Sequence, residues 1–310
     1  MTKRRCSTKK AANKRRAFGT SPFSRVQNEV GQTHDLRAGL IKKAERHFGA
    51  RIFTYFASFS HFDAQLIDAD AEMLENLLSI EHDGGRLMLV INSPGGQALA
   101  AERMVNVCRA YSQNQFEVIV PHMAKSAATM VCFGASKIHM SRTAELGPVD
   151  PQVAYKDDAG QYHWISADEY VRSYENLISA ATSVSGRIDA YIQQLARYDA
   201  REIERLRSQQ DLSADISVKL LQNMMMNGKT ADEIRQKIAP FLKQKEKGEH
   251  GRMIGLDEAK ACGIEIQEIA LGAEPWRWIW ELYVRSSWVV ETGIVAVIES
   301  ATAAVSRAKP

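Results

Sequence analysis

The sequence predicts an α/β fold built on a largely parallel sheet, and three observations predict it. Between Leu87 and Met140 short apolar runs alternate with helical segments: strand Leu87–Ile91, helix Gln97–Tyr111, strand Phe116–Val120, helix Ser126–Gly134, strand Lys137–Met140. These strands are apolar throughout rather than alternating, as strands covered by helices on both faces must be. The chain has 310 residues and is 45% hydrophobic and 25% charged, which gives room for one large domain with extensions.

The elements follow in order. His34–Gly49 reads as a helix that stops at its glycine, and Arg51–Ser58 (RIFTYFAS) as a strand rich in aromatic and β-branched residues. Asp68–His82 is amphipathic, with Met73, Leu74, Leu77, Leu78 and Ile80 on or near one face, and Gly84-Gly85 ends it. After Gly147-Pro148, the segment QVAYKDDAGQYHWI predicts a hairpin turning at Asp158-Ala159-Gly160. Ser166 and Glu169 have capping-box spacing and open a helical region that runs, with breaks, to about Ala239. Its charged middle, Tyr198–Asp211, suggests a solvent-facing arm, a lid or a subunit contact. Lys243–Arg252 reads as a polar loop, Leu256–Gly263 as a short helix and Ile264–Ile269 as a last strand.

Net charge is only +3, so the chain as a whole offers no field for nucleic acid or membrane. The first 16 residues hold eight Lys or Arg and no acid, and residues 1–33 are expected to be a disordered basic tail without an apolar secretory run. Cys6, Cys108, Cys132 and Cys262 are widely spaced, with no CxxC pair. That pattern fits a reducing cytoplasm and neither a disulfide framework nor a zinc site. Trp276–Ser300 is aromatic and apolar but carries Arg277, Glu281, Arg285 and Glu291, so it reads as a docking helix for the core or a neighbouring subunit. Residues 271–310 are read as a Trp-rich C-terminal helix, with contact to a membrane surface or a partner protein as the alternative.

Two turns carry the chemistry. In Ser93-Pro94-Gly95-Gly96 the glycines expose backbone N–H groups without side-chain obstruction, and such groups can donate to an anionic oxygen. Ser126 opens the helix SAATMVCFG at its positive end, where the N–H of Ala127 joins the glycine amides as a candidate oxyanion donor. A glycine pair alone is also a tight turn, and a serine there is also an N-cap. Two such turns on neighbouring strands point to acyl transfer, although the pattern is not the GxSxG elbow.

The segment Ile91–Gly96 (INSPGG) resembles the glycine motif of the Clp protease proteolytic subunit, and Ser126-Ala127-Ala128 lies where that superfamily places its nucleophile. Pro121–Gln152 resembles more closely the serine dehydrogenase proteinase family, a relative of the Clp and signal-peptide-peptidase-A serine proteases. Gly251–Ile266 resembles the helix–strand element that follows the active site in these proteins. The resemblance covers roughly Leu36–Ile269. It implies a Clp/crotonase-like spiral of ββα units over 34–270, with a helical insertion at about 166–239. It also implies a homo-oligomer and a peptide or protein substrate, while no cofactor or metal is expected.

In Clp-type proteases a histidine follows the serine and an acid comes later. Here the histidine zone holds Asp150 and the acid zone holds Glu249 and His250. The resembled family is understood to use the order Ser, Asp, His. The resemblance therefore implies that Ser126 attacks, His250 is the base and Asp150 orients it, since only spatial roles matter. Asp150 also reads as a turn residue before Pro151, and His250 as a solvated loop residue. A Ser–Lys dyad is the alternative, with Lys156 as nearest downstream candidate in a polar hairpin that favours its charged form. His122 lies on the approach to Ser126, His139 on an apolar strand and His163 on the hairpin. The competing class is a non-catalytic scaffold that keeps the fold and uses its C-terminal segment for partners.

Overall fold

The computed structural model describes residues 26, 33–81, 84–156, 160, 162–183, 188–242 and 253–309. The polar loop 243–252 with His250, the turn residues Asp158 and Ala159, and the basic tail lie outside them, except for Thr33 and for Val26, which is helical and buried where a disordered tail was expected. The side chains of Lys156 and His163 are outside the described set as well.

The strands are β1 (Arg51–Ala57), β2 (Leu87–Asn92), β3 (Phe116–Val120), β4 (Met123–Ala124), β5 (Ile138–Met140), β6 (Glu145–Leu146), β7 (Gln152–Lys156), β8 (Tyr162–Ser166), β9 (Ile266–Glu268), β10 (Ile294–Glu299) and β11 (Ala304–Ala308). The helices are α1 (His34–Phe48), α2 (Asp68–Glu81), α3 (Ala98–Tyr111), α4 (Ala127–Phe133), α5 (Ala167–Ser183), α6 (Ile188–Leu195), α7 (Ala200–Gln222), α8 (Ala231–Lys237), α9 (Ala239–Leu242), α10 (Leu256–Ala261) and α11 (Glu274–Thr292).

A seven-stranded sheet in the order β11-β10-β1-β2-β3-β5-β9 forms the centre. Strands β1, β2, β3, β5 and β9 are parallel. Every residue of β2 is buried, as its unbroken apolar run requires. One face packs on Leu74, Leu78, Met104 and Phe133, and the other on Leu40, Ile41, Ile279 and Leu282. Each fully buried aliphatic or aromatic side chain contributes about 1.5–3 kcal/mol. Cys108, Cys132 and Cys262 are buried, and burial pushes the Cys108 and Cys132 thiols up.

The main strands then repeat one move. After β2, Ser93 bridges Ala124; after β3 comes β4; after β5 comes β6, which pairs parallel with β4. Leu146 continues the small layer by an antiparallel bridge to Ile254. Each unit thus has a long strand, a short strand turned out of the main sheet, and in two units a helix. That is the ββα repeat expected of the α/β spiral.

The C-terminus differs from its sequence reading. The helix ends at Thr292, and 294–308 forms two strands, β10 antiparallel to β1 and β11 antiparallel to β10. Gly293 breaks the helix, and the β-branched run IVAVIE favours a strand over one more helical turn. Trp276, Trp280, Val284 and Trp288 recur every four positions, which predicts one helical face, but they do not share one. Trp276 is buried and Trp288 is exposed, because each four-residue step overshoots a full turn by about 40°. The buried face is instead Trp276, Ile279, Leu282 and Val290, docked on the chain's own α1 and sheet. Among the described residues no helix is long and apolar enough to cross a membrane.

The predicted hairpin pairs Gln152–Lys156 with Tyr162–Ser166. The helical region after it resolves into α5 to α9, and Ser166 caps it by accepting from Glu169 N–H at 3.2 Å.

Candidate active site

The two glycine- and serine-bearing turns lie edge to edge. Ser93 N–H donates to Met123 O at 3.1 Å, Lys125 N–H donates to Ser93 O at 3.0 Å, and Met123 N–H donates to Asn92 Oδ1 at 3.0 Å. On the other side, Ser126 N–H donates to Pro148 O at 3.1 Å. Thr129 Oγ1 donates to the carbonyls of Ala124 and Gly147 at 2.7 and 2.9 Å, so α4 is tied to both neighbours of the serine.

Ser126 has φ 48° and ψ −121°, outside the regions favoured by residues with a side chain. A strained residue at the start of a helix, between a strand turn and a cleft, is a pattern that collects at functional sites. Its hydroxyl makes no capping hydrogen bond. The N-cap reading of this serine therefore holds for its backbone position and not for its side chain.

The glycines are required by closeness. A Cβ on Gly95 would lie 2.4 Å from Lys125 O and 2.7 Å from Ser126 Cβ. A Cβ on Gly96 would lie 2.4 Å from both Leu66 N and Leu66 O. Their amides differ, however. Gly95 N–H already donates to Ser93 Oγ at 3.1 Å. No acceptor among the described residues faces Gly96 N–H or Ala127 N–H.

Ser126 opens onto a cleft of about 990 Å³. Pro94, Gly95 and Gly96 line it on one side of the serine, and Pro151 and Gln152 also line it. Gln209, Leu212 and Ser213 of α7 form another wall, which gives the charged helical insertion a place at the site. Phe59, Phe62, Leu99 and Leu212 are exposed large apolar side chains, and all four lie in this cleft.

Asp150 does not line the cleft. It is buried, with Ser166 Oγ donating to Oδ2 and Gln210 Nε2 donating to Oδ1 at 3.3 Å. Burial pushes its carboxyl up to about 6, against the pull of those two hydrogen bonds. His250 lies outside the described residues, but both ends of its segment are placed. Val149 N–H donates to Phe241 O at 2.9 Å, and Leu146 and Ile254 exchange two hydrogen bonds at 3.0 Å. The segment 146–150, which runs beside Ser126, thus holds both anchors.

His61 is a residue the sequence reading passed over. It lines the cleft with Ser126, and its Nδ1 accepts from Asp63 N–H at 3.4 Å. The signal was its position just past β1, at the same sheet end as the two turns. Of the other candidates, His122 Nδ1 lies 3.0 Å from Tyr283 OH and its pKa is lowered by burial. His139 Nε2 lies 2.5 Å from Glu117 Oε2 within the sheet. Lys125 pairs with Glu145, in space that Gly147 leaves open for its stem. Lys156 ends β7.

Parallel strands whose ends carry a glycine turn, a strained serine and unpaired amides define an α/β fold with a serine-centred site. Residues 62–166 match the family described as ClpP-like SDH-type serine proteinase. The match includes Gly95, Gly96, Ser126 and Asp150, while His250 lies beyond it. Two uncharacterized proteins of Methanocaldococcus jannaschii are similar. One is 43% identical over 74 residues, covering 24% of this chain and 23% of that protein. The other is 32% identical over 93 residues, covering 30% of each. The matched stretches thus span less than a third of those relatives' lengths. Among solved structures, ClpP1 from Listeria monocytogenes matches with a TM-score of 0.37 and 14% identity, over 73% of this chain and 96% of that one.

Proposed function

We propose that the chain is a serine peptidase that cleaves peptide bonds through an acyl-enzyme on Ser126. The observation that carries the proposal is Ser126 itself: strained, free of a cap bond, open to a cleft and flanked by the unpaired N–H groups of Gly96 and Ala127. Ser126 Oγ attacks the peptide carbonyl carbon as its proton passes to a base. The carbonyl oxygen, now anionic, lies between the Gly96 and Ala127 amides. Gly95 serves by its lack of a side chain, since its own amide is held by Ser93. The C–N bond then breaks, the amine leaves with the proton, and water hydrolyses the ester.

In this proposal His250 is the base and Asp150 orients it. The bonds of Phe241 to Val149 and of Ile254 to Leu146 support the pairing, because these described residues flank 243–252 and Asp150 follows Val149. A second reading of the base rests on His61, which among the described histidines lines the cleft with Ser126.

The substrate in this proposal is a peptide or protein, and the family resemblance favours a homo-oligomer. A fluorophosphonate probe tests the central claim. The wild-type chain should be labelled on Ser126 and Ser126→Ala should take no label. An unlabelled wild type points instead to a scaffold that keeps the fold.

A further inference from the structure

We infer that Arg307, on the last strand, is a positioning residue for the oxyanion turn; the inference rests on the serine-peptidase reading above. Arg307 of β11 lies far along the chain from Ser126 and outside the 62–166 family match. Its guanidinium nonetheless has four acceptors near the site. Nη1 donates to Asp63 O at 2.6 Å and Nη2 to Gln65 O at 2.7 Å. Nε and Nη2 donate to the two carboxylate oxygens of Asp70, each at 3.1 Å.

Two routes lead from these bonds to the glycine turn. The first runs through the cleft loop that carries His61, Phe62 and Gln65. Leu66 follows the two clamped carbonyls, and it is laced to the turn like a strand. Its N–H donates to Gly95 O at 2.7 Å and its carbonyl accepts from Gln97 N–H at 2.9 Å. These bonds bracket Gly96, so Leu66 sets the direction of the Gly96 N–H. There is no slack in this contact, because even a methyl group on Gly96 would meet the Leu66 backbone at 2.4 Å.

The second route is buried. Asp70 Oδ2 accepts from Tyr55 OH at 3.1 Å and from Ile67 N–H at 2.9 Å. Tyr55 OH is also hydrogen-bonded to the Ser93 side chain, whose Oγ accepts from Gly95 N–H at 3.1 Å. Tyr55, Asp70 and Ser93 are all fully buried, and Arg307 is the cation that compensates the Asp70 carboxylate. A single planar fork therefore holds the loop in front of the glycine turn and the network behind it. Lysine offers one point charge and cannot span both carbonyls and both carboxylate oxygens.

The test measures labelling rate against fluorophosphonate concentration for wild type, Arg307→Gln, Arg307→Lys and a control, Arg86→Gln. Arg86 pairs with Glu117 within the sheet and touches neither route. Misaiming one oxyanion donor should lower the limiting rate of Arg307→Gln about 10- to 100-fold, with half-saturation changed less than about two-fold. Arg307→Lys should fall between, and Arg86→Gln should label like wild type. A limiting rate for Arg307→Gln equal to wild type overturns the inference, as does a loss shared equally by Arg86→Gln. If Arg307→Gln does not fold, Arg307→Lys decides alone: a wild-type limiting rate overturns the inference and a reduced one supports it. An unlabelled wild type overturns the serine-peptidase reading instead, a result distinct from any of these.

Discussion

Gly95 and Ser126 touch: a methyl group added to Gly95 would lie 2.7 Å from Ser126 Cβ and 2.8 Å from Ala127 N. No side chain fits there without moving the serine or the amide that follows it. Gly95→Ala should therefore lower the fluorophosphonate labelling rate by about 100-fold or more, since small misplacements of reacting groups are costly. It should also destabilise the fold by about 1–3 kcal/mol, from overpacking and from alanine at φ 96°. Gly49→Ala is the matched control. Gly49 has φ 62°, but an added methyl group there would meet nothing within 4 Å, so only the backbone cost of about 1 kcal/mol applies. Normal labelling of Gly95→Ala would break the link between this contact and the nucleophile.

Asp150 gives a pH prediction. Its carboxyl is pushed up to about 6 by burial, so the folded chain holds a proton that the unfolded chain has already released. Stability then falls as pH rises from about 4 to about 6, by at most about 3 kcal/mol from this group. Asn keeps an oxygen to accept from Ser166 and carries no charge to bury. Asp150→Asn should thus be more stable than wild type by about 1–3 kcal/mol at pH 8 and nearly equal at pH 4. Urea unfolding at several pH values measures this, and an unaltered slope between pH 4 and 6 counts against it. If Asp150 orients the base, the same variant should label slowly, exchanging activity for stability.

The parallel strands, the two turns and the helical insertion were legible because each is written in a local pattern. Leu87–Ile91 has no polar residue to expose, and Ser166 sits three places before Glu169. The placement of His61 in the cleft and of Arg307 against Asp70 was not legible. Arg307 meets Asp70 across 237 positions, and no spacing rule joins residues that far apart. The C-terminal strands were hidden for another reason. Ile294–Glu299 continues an apolar stretch that begins in α11, and an apolar run alone does not separate helix from strand. Gly293 was the available signal.

The base divides two readings that share every other part of the site. If His250 takes the proton, His250→Ala should lose at least about 100-fold in labelling rate, while His61→Ala stays near wild type. If His61 is the base, the order reverses. Either result should appear as a rate that falls at low pH, where a protonated base cannot take the serine proton. Labelling retained by both single variants and by the double variant would remove histidine from the mechanism and return attention to Lys156.

Arg37 and Glu299 tie the first described helix to the C-terminal strands. The guanidinium of Arg37 donates to both carboxylate oxygens of Glu299 at 2.7–3.0 Å, and both side chains are buried. Removing one partner leaves a buried charge with its neighbours arranged for the lost group, at a cost of about 3–5 kcal/mol. Glu299→Ala should therefore lower the urea midpoint strongly. Arg37→Met with Glu299→Leu together should recover most of that loss, because neither charge then needs a partner. Glu299 stands on β10, next to β1, and the α1–β10 bond closes the sheet against its helix cover. If Glu299→Ala unfolds at the wild-type midpoint, the 294–308 strands add little to the stability of the sheet. A large loss makes them part of the same cooperative unit as β1, and with them the strand that carries Arg307.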